Sequence, residues 1–311
     1  MAQVLLSAKP LFDQIKLFLA LSRTPHSLLD LGTPALAAVL CLGTIPPPGI
    51  VLVGLITVFG GYTAVYALND LVDYQADQAK IAAGGLPGSG YLDGIFVRHP
   101  LAQGLLSFKE GLFWVLAWAT MALLGALWLN PICAWIFIAG CVLEAVYCQM
   151  LEISPWRTII AGIVKTLGGM AAVYAVDPNP SPLFLVLLFF CIFFWEIGGQ
   201  NIPADWHDLD ADRSGQAQTL PVRLGYEKSS QIILGSLSLS LLFLPPLLLV
   251  SPLRLAGWLV PVNLGAGIFL LILPALRLYQ TKQRAQAIAL FNQASYFPLV
   301  LFLLTVFALM D

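Results

Sequence analysis

The chain alternates long apolar runs with short polar segments, and within the runs apolar and polar residues do not alternate strictly. A helix needs about 20 apolar residues to cross a bilayer, whereas a membrane-spanning strand would alternate. The pattern therefore predicts an all-α, polytopic membrane protein with about nine transmembrane helices. After a mildly amphipathic start over 3–20, the expected spans are 17–42, 50–68, 112–129, 132–150, 158–176, 183–199, 232–250, 255–276 and 288–310.

Composition agrees with this pattern. Hydrophobic residues make up 59% and charged residues 10% of the 311 positions, whereas soluble domains carry about 25% charged residues. The five cysteines all lie in apolar runs and fit no zinc, haem or disulfide pattern. No linker divides the chain, so we predict one domain over residues 1–311, in which two acidic segments mark two related halves.

Lysine and arginine are distributed unevenly across the predicted membrane. The segments opposite the N-terminus hold only Arg254, and all other connecting segments with basic residues share the N-terminal side. The positive-inside rule therefore predicts a cytoplasmic N-terminus and an external C-terminus. The acidic segments follow the second and sixth spans, so both are expected on the cytoplasmic side.

Each acidic segment follows directly on an apolar run and keeps its acids on one helical face. The first face carries Asn69, Asp73 and Asp77, and the second carries Asn201, Asp205, Asp208 and Asp212. Asp70 is expected about 100° off the first face. Asp210 and His207 lie off the second, so Asp210 is expected to be solvated and His207 to be a loop residue. A solvated loop is the ordinary explanation of acids after a span, but it gives no reason for such faces. Two acid-lined helical faces on the same side of the membrane favour a shared site.

Clustered carboxylates need cations, and oxygen ligands of this kind suit Mg²⁺. With Mg²⁺ such a cluster would bind a diphosphate, because the metal neutralises both the bound oxygens and the departing charge. Basic side chains that could complete the diphosphate site are Arg23, Lys80, Arg98, Lys165 and Arg213. Lys165 differs from the others because it lies within an apolar span, so we expect it to face the bundle interior or pair with an acid.

A diphosphate on an apolar tail is the substrate that such a membrane site suggests. Ionisation of an allylic diphosphate leaves a carbocation, which aromatic faces can stabilise. Candidate aromatic residues in the relevant spans are Tyr62, Tyr66, Tyr147 and Tyr174. Packing is the ordinary role for any one of them.

Four motifs carry a resemblance to a known family. The N-D-x-x-D-x-x-x-D pattern at 69–77 resembles the first signature of the UbiA-type intramembrane prenyltransferases. The run 99–107 is similar to their R-P-[LI]-x-x-G-x-[LI]-S element. The D-x-x-D-x-x-x-D pattern at 205–212, with T-L-P-V-R-L-G at 219–225, is similar to their second signature. The opening S-R-T-P-H at 22–26 also matches, so the resemblance spans essentially the whole chain.

The resemblance implies a helical bundle around a central cavity and Mg²⁺-dependent transfer of a prenyl group from a prenyl diphosphate to an acceptor. The metal-binding residues that it implies are Asn69, Asp70, Asp73, Asp77, Asp205, Asp208 and Asp212. Of these, Asp73, Asp77, Asp208 and Asp212 are the predicted catalytic residues. The expected acceptor is a small aromatic ring, in quinone or related lipid biosynthesis. A lipid or sugar-phosphate acceptor, or internal quenching by a terpene cyclase, stays open, and no nucleic acid partner is expected.

The sequence departs from the family pattern at three places. A glycine-rich insertion at 82–95 follows the first motif, and His99 stands where the family usually has arginine. The family's Tyr-…-Lys-Arg element after the fourth span is not clear; Arg157 is the first base there. Glu144 and Glu196 are buried by position, and we predict that Glu196 lies near the cavity.

A cation-coupled transporter is the alternative outside the enzymes. Transporters place acids near the bilayer midplane on interrupted helices. Here the acids lie at the ends of spans on one side only, which disfavours a path through the membrane.

Overall fold

A computed structural model of the chain describes residues 11–82, 91–92, 96–253 and 256–310. Across these ranges the secondary structure is helical. The α-helices are α1 (Leu11–Leu21), α2 (Thr24–Asp30), α3 (Gly32–Leu42), α4 (Pro48–Val72), α5 (Tyr74–Ala82), α6 (Phe108–Leu129), α7 (Pro131–Gln149), α8 (Arg157–Val176), α9 (Pro182–Trp195), α10 (Ile202–His207), α11 (Leu209–Ser214), α12 (Leu220–Val250), α13 (Leu259–Gly267), α14 (Leu273–Thr281) and α15 (Arg284–Ala308). Arg254, residues 1–10 and Asp311 lie outside the described residues.

Within the described ranges, nine helical stretches are long and apolar enough to cross a membrane. They are Thr24–Leu42, Pro48–Val72, Phe108–Leu129, Pro131–Glu152, Arg157–Val176, Pro182–His207, Leu220–Val250, Leu259–Thr281 and Arg284–Ala308. The predicted all-α membrane fold is therefore confirmed, with bounds that differ by several residues at some ends and by twelve at the start of the seventh span.

The first span is interrupted twice, which was not predicted. Instead of one helix from residue 17, α1 ends at Leu21, and Arg23 adopts a left-handed conformation (φ 44°) before α2 begins. Pro25 lies in the first turn of α2, where a missing N–H costs nothing. A second interruption follows at Leu31, because Pro34 cannot donate to the carbonyl of Asp30.

The sixth and eighth spans contain π-helical segments, Glu196–Asn201 and Ile268–Ile272. A proline follows shortly after each, Pro203 after the first and Pro274 after the second. Proline removes a backbone donor, so the regular bonding pattern must shift near it, and π-bulges of this kind are frequent at functional sites. The first of these segments leads directly into the second acidic motif.

The spans pack into a closed arrangement. The first span contacts the last through α3 and α15, and α3 also packs against α8; α4 packs against α6 and α7, and α9 against α12. Gly32 permits the close approach of α3 and α15, since a Cβ there would lie 2.7 Å from the Cα of Leu299. This closure surrounds an interior cavity and brings the ends of α4 and α10 together.

Candidate active site

The two acidic segments converge on one cleft of about 200 Å³. In the part of the chain that the structure describes, it is lined by six carboxylates, one amide, three guanidinium groups, one imidazole and two phenols. These are Asp70, Asp73, Asp77, Asp205, Asp208, Asp212, Asn69, Arg23, Arg98, Arg157, His99, Tyr91 and Tyr147. The juxtaposition of the two segments, which the sequence only suggested, is thus present in the structure.

The first acidic segment is not one continuous helix. α4 ends at Val72, Asp73 leaves helical geometry (φ −83°, ψ 2°), and α5 begins at Tyr74. Asp70, expected about 100° off the first face, nevertheless lines the cleft. Asp70 is buried and lies 3.3 Å from both Arg23 Nη2 and His99 Nδ1. The interruption at Asp73 changes the direction of the chain, so one helical wheel cannot describe both ends of the motif.

The second segment breaks at the corresponding position. α10 ends at His207, Asp208 has φ −89° and ψ 10°, and α11 begins at Leu209. Asp205, Asp208 and Asp212 line the cleft. Asn201 lies deeper, where its Nδ2 donates to Tyr147 Oη over 3.0 Å.

Two basic side chains hold the first motif. Arg23 Nη2 donates to Asn69 Oδ1 over 3.2 Å and to Asp70 Oδ1 over 3.3 Å. His99 Nδ1 lies 2.8 Å from Asp77 Oδ2, and its left-handed backbone (φ 50°) directs the ring between Asp70 and Asp77. Burial by itself would lower the pKa of His99, but Asp70 and Asp77 outweigh it and raise the pKa to about 9. His99 is therefore a cation at neutral pH in this arrangement.

Two other guanidinium groups face the second motif. Arg98 Nη2 lies 3.8 Å from Asp208 Oδ2, and its guanidinium carbon lies 4.4 Å from the centre of the Tyr91 ring. Arg157 Nη1 lies 3.7 Å from Asp205 Oδ1, and its guanidinium carbon lies 4.0 Å from the centre of the Tyr147 ring. Sequence reasoning did not place Arg157 in the site. Its position as the first base after the fourth span was the available signal.

Two predicted diphosphate ligands, Lys165 and Arg213, are not among the described residues that line the cleft. Lys165 instead lines a separate apolar cavity, and its Nζ lies 2.6 Å from Asp30 Oδ2. Arg213 is exposed on α11. The side chain of Lys80 lies outside the described residues. Asp210, predicted to be solvated, is exposed and pairs with Arg284 at 2.5 Å.

Tyr91 is a cleft residue that sequence reasoning missed, because it lies within the glycine-rich insertion. Its hydroxyl donates to the carbonyl of Ala204 over 3.3 Å, and its ring contacts Phe291 and His207. His207, predicted to be a loop residue, is the last residue of α10. Burial raises the pKa of the Tyr91 hydroxyl well above its usual value, so it stays protonated. Apart from Ala82, Tyr91 and Leu92, the insertion lies outside the described residues.

A larger apolar cavity of about 720 Å³ adjoins the cleft. Arg23, Asn69, Tyr147, Ala204 and Phe291 line both spaces, so the two share a wall. Most of the other lining residues are apolar, and the polar exceptions include Tyr62, Tyr66, Glu144, Lys165 and Glu196. The prediction that Glu196 lies near the cavity is confirmed. Tyr174, the fourth aromatic candidate, is not among the lining residues of the cavity.

The charges of the described cleft residues do not balance. Among them, six carboxylates face three guanidinium groups and His99. One ligand atom each of Asp70, Asp77 and His99 lies within 4.8 Å of the others. An excess of carboxylate oxygens is the donor set that hard divalent cations require. The cleft is therefore chemically suited to a divalent cation and an anionic group bound with it.

The family model described as the UbiA prenyltransferase family matches residues 31–307. The chain belongs to this family. The family resemblance and the prenyltransferase class inferred from the motifs are therefore confirmed.

The individual relatives and solved structures share little sequence identity with this chain. The digeranylgeranylglyceryl phosphate synthase of Thermococcus sibiricus is 26% identical over 219 residues, covering 70% of this chain and 72% of that protein. A UbiA homolog from Archaeoglobus fulgidus, solved with DMAPP and Mg²⁺, has a TM-score of 0.69 at 14% identity over 94% of this chain and 99% of its own. An apo UbiA homolog from Aeropyrum pernix K1 has a TM-score of 0.69 at 16% identity, over 92% and 97%. The structural likenesses establish the shared fold.

Proposed function

We propose that the protein transfers a prenyl group from an allylic prenyl diphosphate, bound with Mg²⁺ in the cleft, to a hydroxyl group of a lipid acceptor in the cavity. The observation that carries this proposal is the shared wall between an acid-lined cleft and a much larger apolar cavity. A diphosphate head and a prenyl tail need these two environments side by side.

The donor set supports Mg²⁺ as the cation. Asn69, Asp73 and Asp77 from the first motif and Asp205, Asp208 and Asp212 from the second would hold it, with Asp70 close by. When bound, Mg²⁺ would neutralise the diphosphate oxygens and stabilise the leaving group. The Archaeoglobus fulgidus homolog was solved with DMAPP and Mg²⁺, and separately with GPP and Mg²⁺.

The guanidinium groups of the cleft supply the remaining positive charge. Arg23, Arg98 and Arg157 each approach a carboxylate of one motif and would also reach a diphosphate between the motifs. His99 would keep Asp70 and Asp77 in place. Release of diphosphate leaves an allylic cation at the mouth of the cavity. The Tyr66 and Tyr147 rings line the cavity there and would stabilise it.

The curated relatives favour a glycerol-based acceptor. Both the Thermococcus sibiricus protein and its Thermococcus kodakarensis counterpart, 22% identical over 221 residues, are digeranylgeranylglyceryl phosphate synthases. A cavity of about 720 Å³ suits a second apolar chain. The aromatic acceptor expected from the motifs, and with it a role in quinone biosynthesis, stays a sequence prediction.

The orientation is also a proposal. The lysine and arginine bias supports a cytoplasmic cleft and N-terminus, with the C-terminus outside. Reporter fusions at the two termini would test it, and equal cytoplasmic signals from both would contradict it.

The test is prenyl diphosphate turnover by the full chain in nanodiscs, with Mg²⁺ or with EDTA. The panel pairs prenyl diphosphates of several lengths with an alkylglycerol phosphate, an alkylglycerol and an aromatic acid. We expect Mg²⁺-dependent diphosphate release with a prenylated glycerol product. A product formed only from the aromatic acid would overturn the acceptor assignment, and turnover that persists in EDTA would overturn the metal site.

A further inference from the structure

The cavity contains a polar cluster that prenyl-tail binding does not explain. Lys165 Nζ donates to Asp30 Oδ2 over 2.6 Å and to Tyr66 Oη over 3.3 Å, and Tyr66 also donates to Asp30. Glu196 completes the cluster, with Oε2 4.0 Å from Lys165 Nζ. A wall meant only for hydrocarbon would be more stable without two carboxylates and an ammonium, because buried charges are costly in a membrane.

Two carboxylate oxygens of the cluster, Asp30 Oδ1 and Glu196 Oε2, have no hydrogen-bond partner among the described residues, and of these two residues Glu196 is the one that lines the cavity. Its Oε2 is buried and has no hydrogen-bond partner among the described residues, and 4.0 Å from Lys165 is too long for a direct bond. The side chain keeps 12% of its surface exposed, and it lines the cavity. Its position at the start of the π segment Glu196–Asn201 marks a place where the helix departs from regular geometry.

The gap between Glu196 and Lys165 has the size of one hydrogen-bonded oxygen. Two atoms 4.0 Å apart can both lie about 2.8 Å from a common oxygen atom. A hydroxyl oxygen there would accept from Lys165, which already donates two bonds, and its proton would be donated to Glu196. The cluster holds two carboxylates and one ammonium, with His26 Nε2 3.8 Å from Asp30. A neutral hydroxyl therefore fits better than a carboxylate or phosphate.

The cluster is also close to the place where the reaction occurs. The Tyr66 hydroxyl belongs to the cluster, while the Tyr66 ring lies 5.7 Å from the guanidinium carbon of Arg23, a cleft residue. One side chain thus spans from the cluster to the cleft. A hydroxyl bound at Glu196 would lie near the first carbons of a prenyl group whose diphosphate occupies the cleft.

We infer that Lys165 and Glu196 bind the reacting hydroxyl of the acceptor and that Glu196 takes up its proton. This inference rests on the proposed function. The bond between prenyl C1 and the diphosphate oxygen breaks, and its electron pair leaves with the diphosphate. The acceptor oxygen forms a new bond to C1, and the hydroxyl proton passes to the Glu196 carboxylate. Glu196 later returns that proton to water or to the released diphosphate.

The kinetic test uses Glu196→Gln, which keeps the shape of the side chain but removes the base. Transfer is expected to fall about 100-fold, as for loss of a general base, while prenyl diphosphate affinity changes less than about twofold.

The pH dependence is a second readout. Transfer by the wild type should decrease at acid pH, and Glu196→Gln should lose that dependence. Ionisable groups around Glu196 that could contribute are Lys165, Asp30, His26, Tyr62, Tyr66 and Glu144. Glu227→Gln, on the exposed side of α12, is the matched control and should transfer at the wild-type rate.

The binding test does not depend on turnover. Calorimetry in nanodiscs, with empty nanodiscs as reference, compares an alkylglycerol with its dimethyl ether, which cannot donate a hydrogen bond. Wild type should prefer the alkylglycerol about tenfold, because a site built for a hydroxyl rejects the analogue without it. Glu196→Ala should lose the preference, and thermal unfolding of each variant reports its folding.

Each outcome decides between the two proposals. Wild-type transfer rates in Glu196→Gln, or equal losses of donor affinity and transfer, would overturn the role of Glu196. No preference between the two probes in wild type would overturn the hydroxyl site. A third outcome is that wild type prefers the alkylglycerol, Glu196→Ala loses this preference, and wild type transfers no prenyl group. The binding result would then support the hydroxyl site, and the absence of transfer would overturn both the proposed function and the proton transfer.

Discussion

The two acidic motifs have nearly the same backbone and different surroundings. In the first, Asp73 N donates to Asn69 O and Asp77 N to Asp73 O, both over 2.9 Å. In the second, Asp208 N donates to Ala204 O over 3.2 Å and Asp212 N to Asp208 O over 2.9 Å. Each motif turns at its middle aspartate. Two related halves, as the sequence suggests, would produce this match, and that relation stays a prediction.

The surroundings of the two motifs differ in their basic residues and in the helical segment that precedes each motif. The first motif ends a regular helix and is held by Arg23 and His99. The second follows a π segment and faces Arg98 and Arg157, and Thr219 donates to Asp212 over 3.3 Å. The acids thus keep one geometry, whereas their basic partners come from three separate places in the chain: Arg23, the adjacent Arg98 and His99, and Arg157.

The largest effect is expected from the middle aspartate of each motif. Asp73→Ala and Asp208→Ala should each lower prenyl transfer about 1,000-fold, because each removes a charge that holds the cation and leaving group. The double variant should be little worse than either single one, since groups that act as a unit are not additive. Steady-state turnover in nanodiscs measures this. Asp210→Ala, on the exposed side of α11, is the control; a loss confined to one motif would refute equal roles.

A smaller effect is expected at His99, which belongs to the first motif alone. His99→Ala should lower transfer about 100-fold, because it leaves Asp70 and Asp77 buried without their shared cation. His99→Arg should stay within about threefold of wild type, since arginine also carries a charge that can reach both acids. The kinetic constants for the prenyl diphosphate measure the difference. Equal activity of the alanine and arginine variants would show that charge at this position is unimportant.

The corresponding change beside the second motif is Arg157→Lys. Lysine keeps the charge but loses the planar group that stacks on Tyr147 and reaches Asp205. We expect the prenyl diphosphate KM to rise about tenfold, because a guanidinium binds phosphate in two-pronged geometry. Arg213→Lys, an exposed arginine on α11, should leave KM unchanged. The reverse ranking of the two variants would return Arg213 to the site and remove Arg157.

The smallest effect is expected from Tyr91→Phe. The change removes one hydrogen bond to Ala204 and keeps the ring against Arg98 and Phe291. Such a bond contributes about 1 kcal/mol, so turnover should fall about fivefold, with faster amide exchange in α10. Tyr91→Ala should cost more, because it also removes the ring. If both variants behave as wild type, the contact of the insertion with the second motif has no part in turnover.

Much of the fold could be predicted from the pattern of apolar runs. Among the described residues nine spans were found, most of them close to their predicted positions, because apolar length is a direct requirement of the bilayer. The two interruptions of the first span were missed, although Pro25 and Pro34 both signal them. Proline fixes where a helix loses a bond, but packing decides whether the helix bends or ends there.

The sequence by itself determined the membrane fold, the two acid rows and the family, because these depend on spacing and residue type along the chain. Tertiary structure alone decided which cations reach the acids. Arg157 rather than Arg213 approaches the second motif, His99 bridges Asp70 and Asp77, and Lys165 pairs with Asp30 135 positions away. These pairings depend on which helix ends meet when the first and last spans close the bundle. No local pattern records that meeting, since a long basic side chain looks the same in sequence whether it faces headgroups, a cleft or a buried acid.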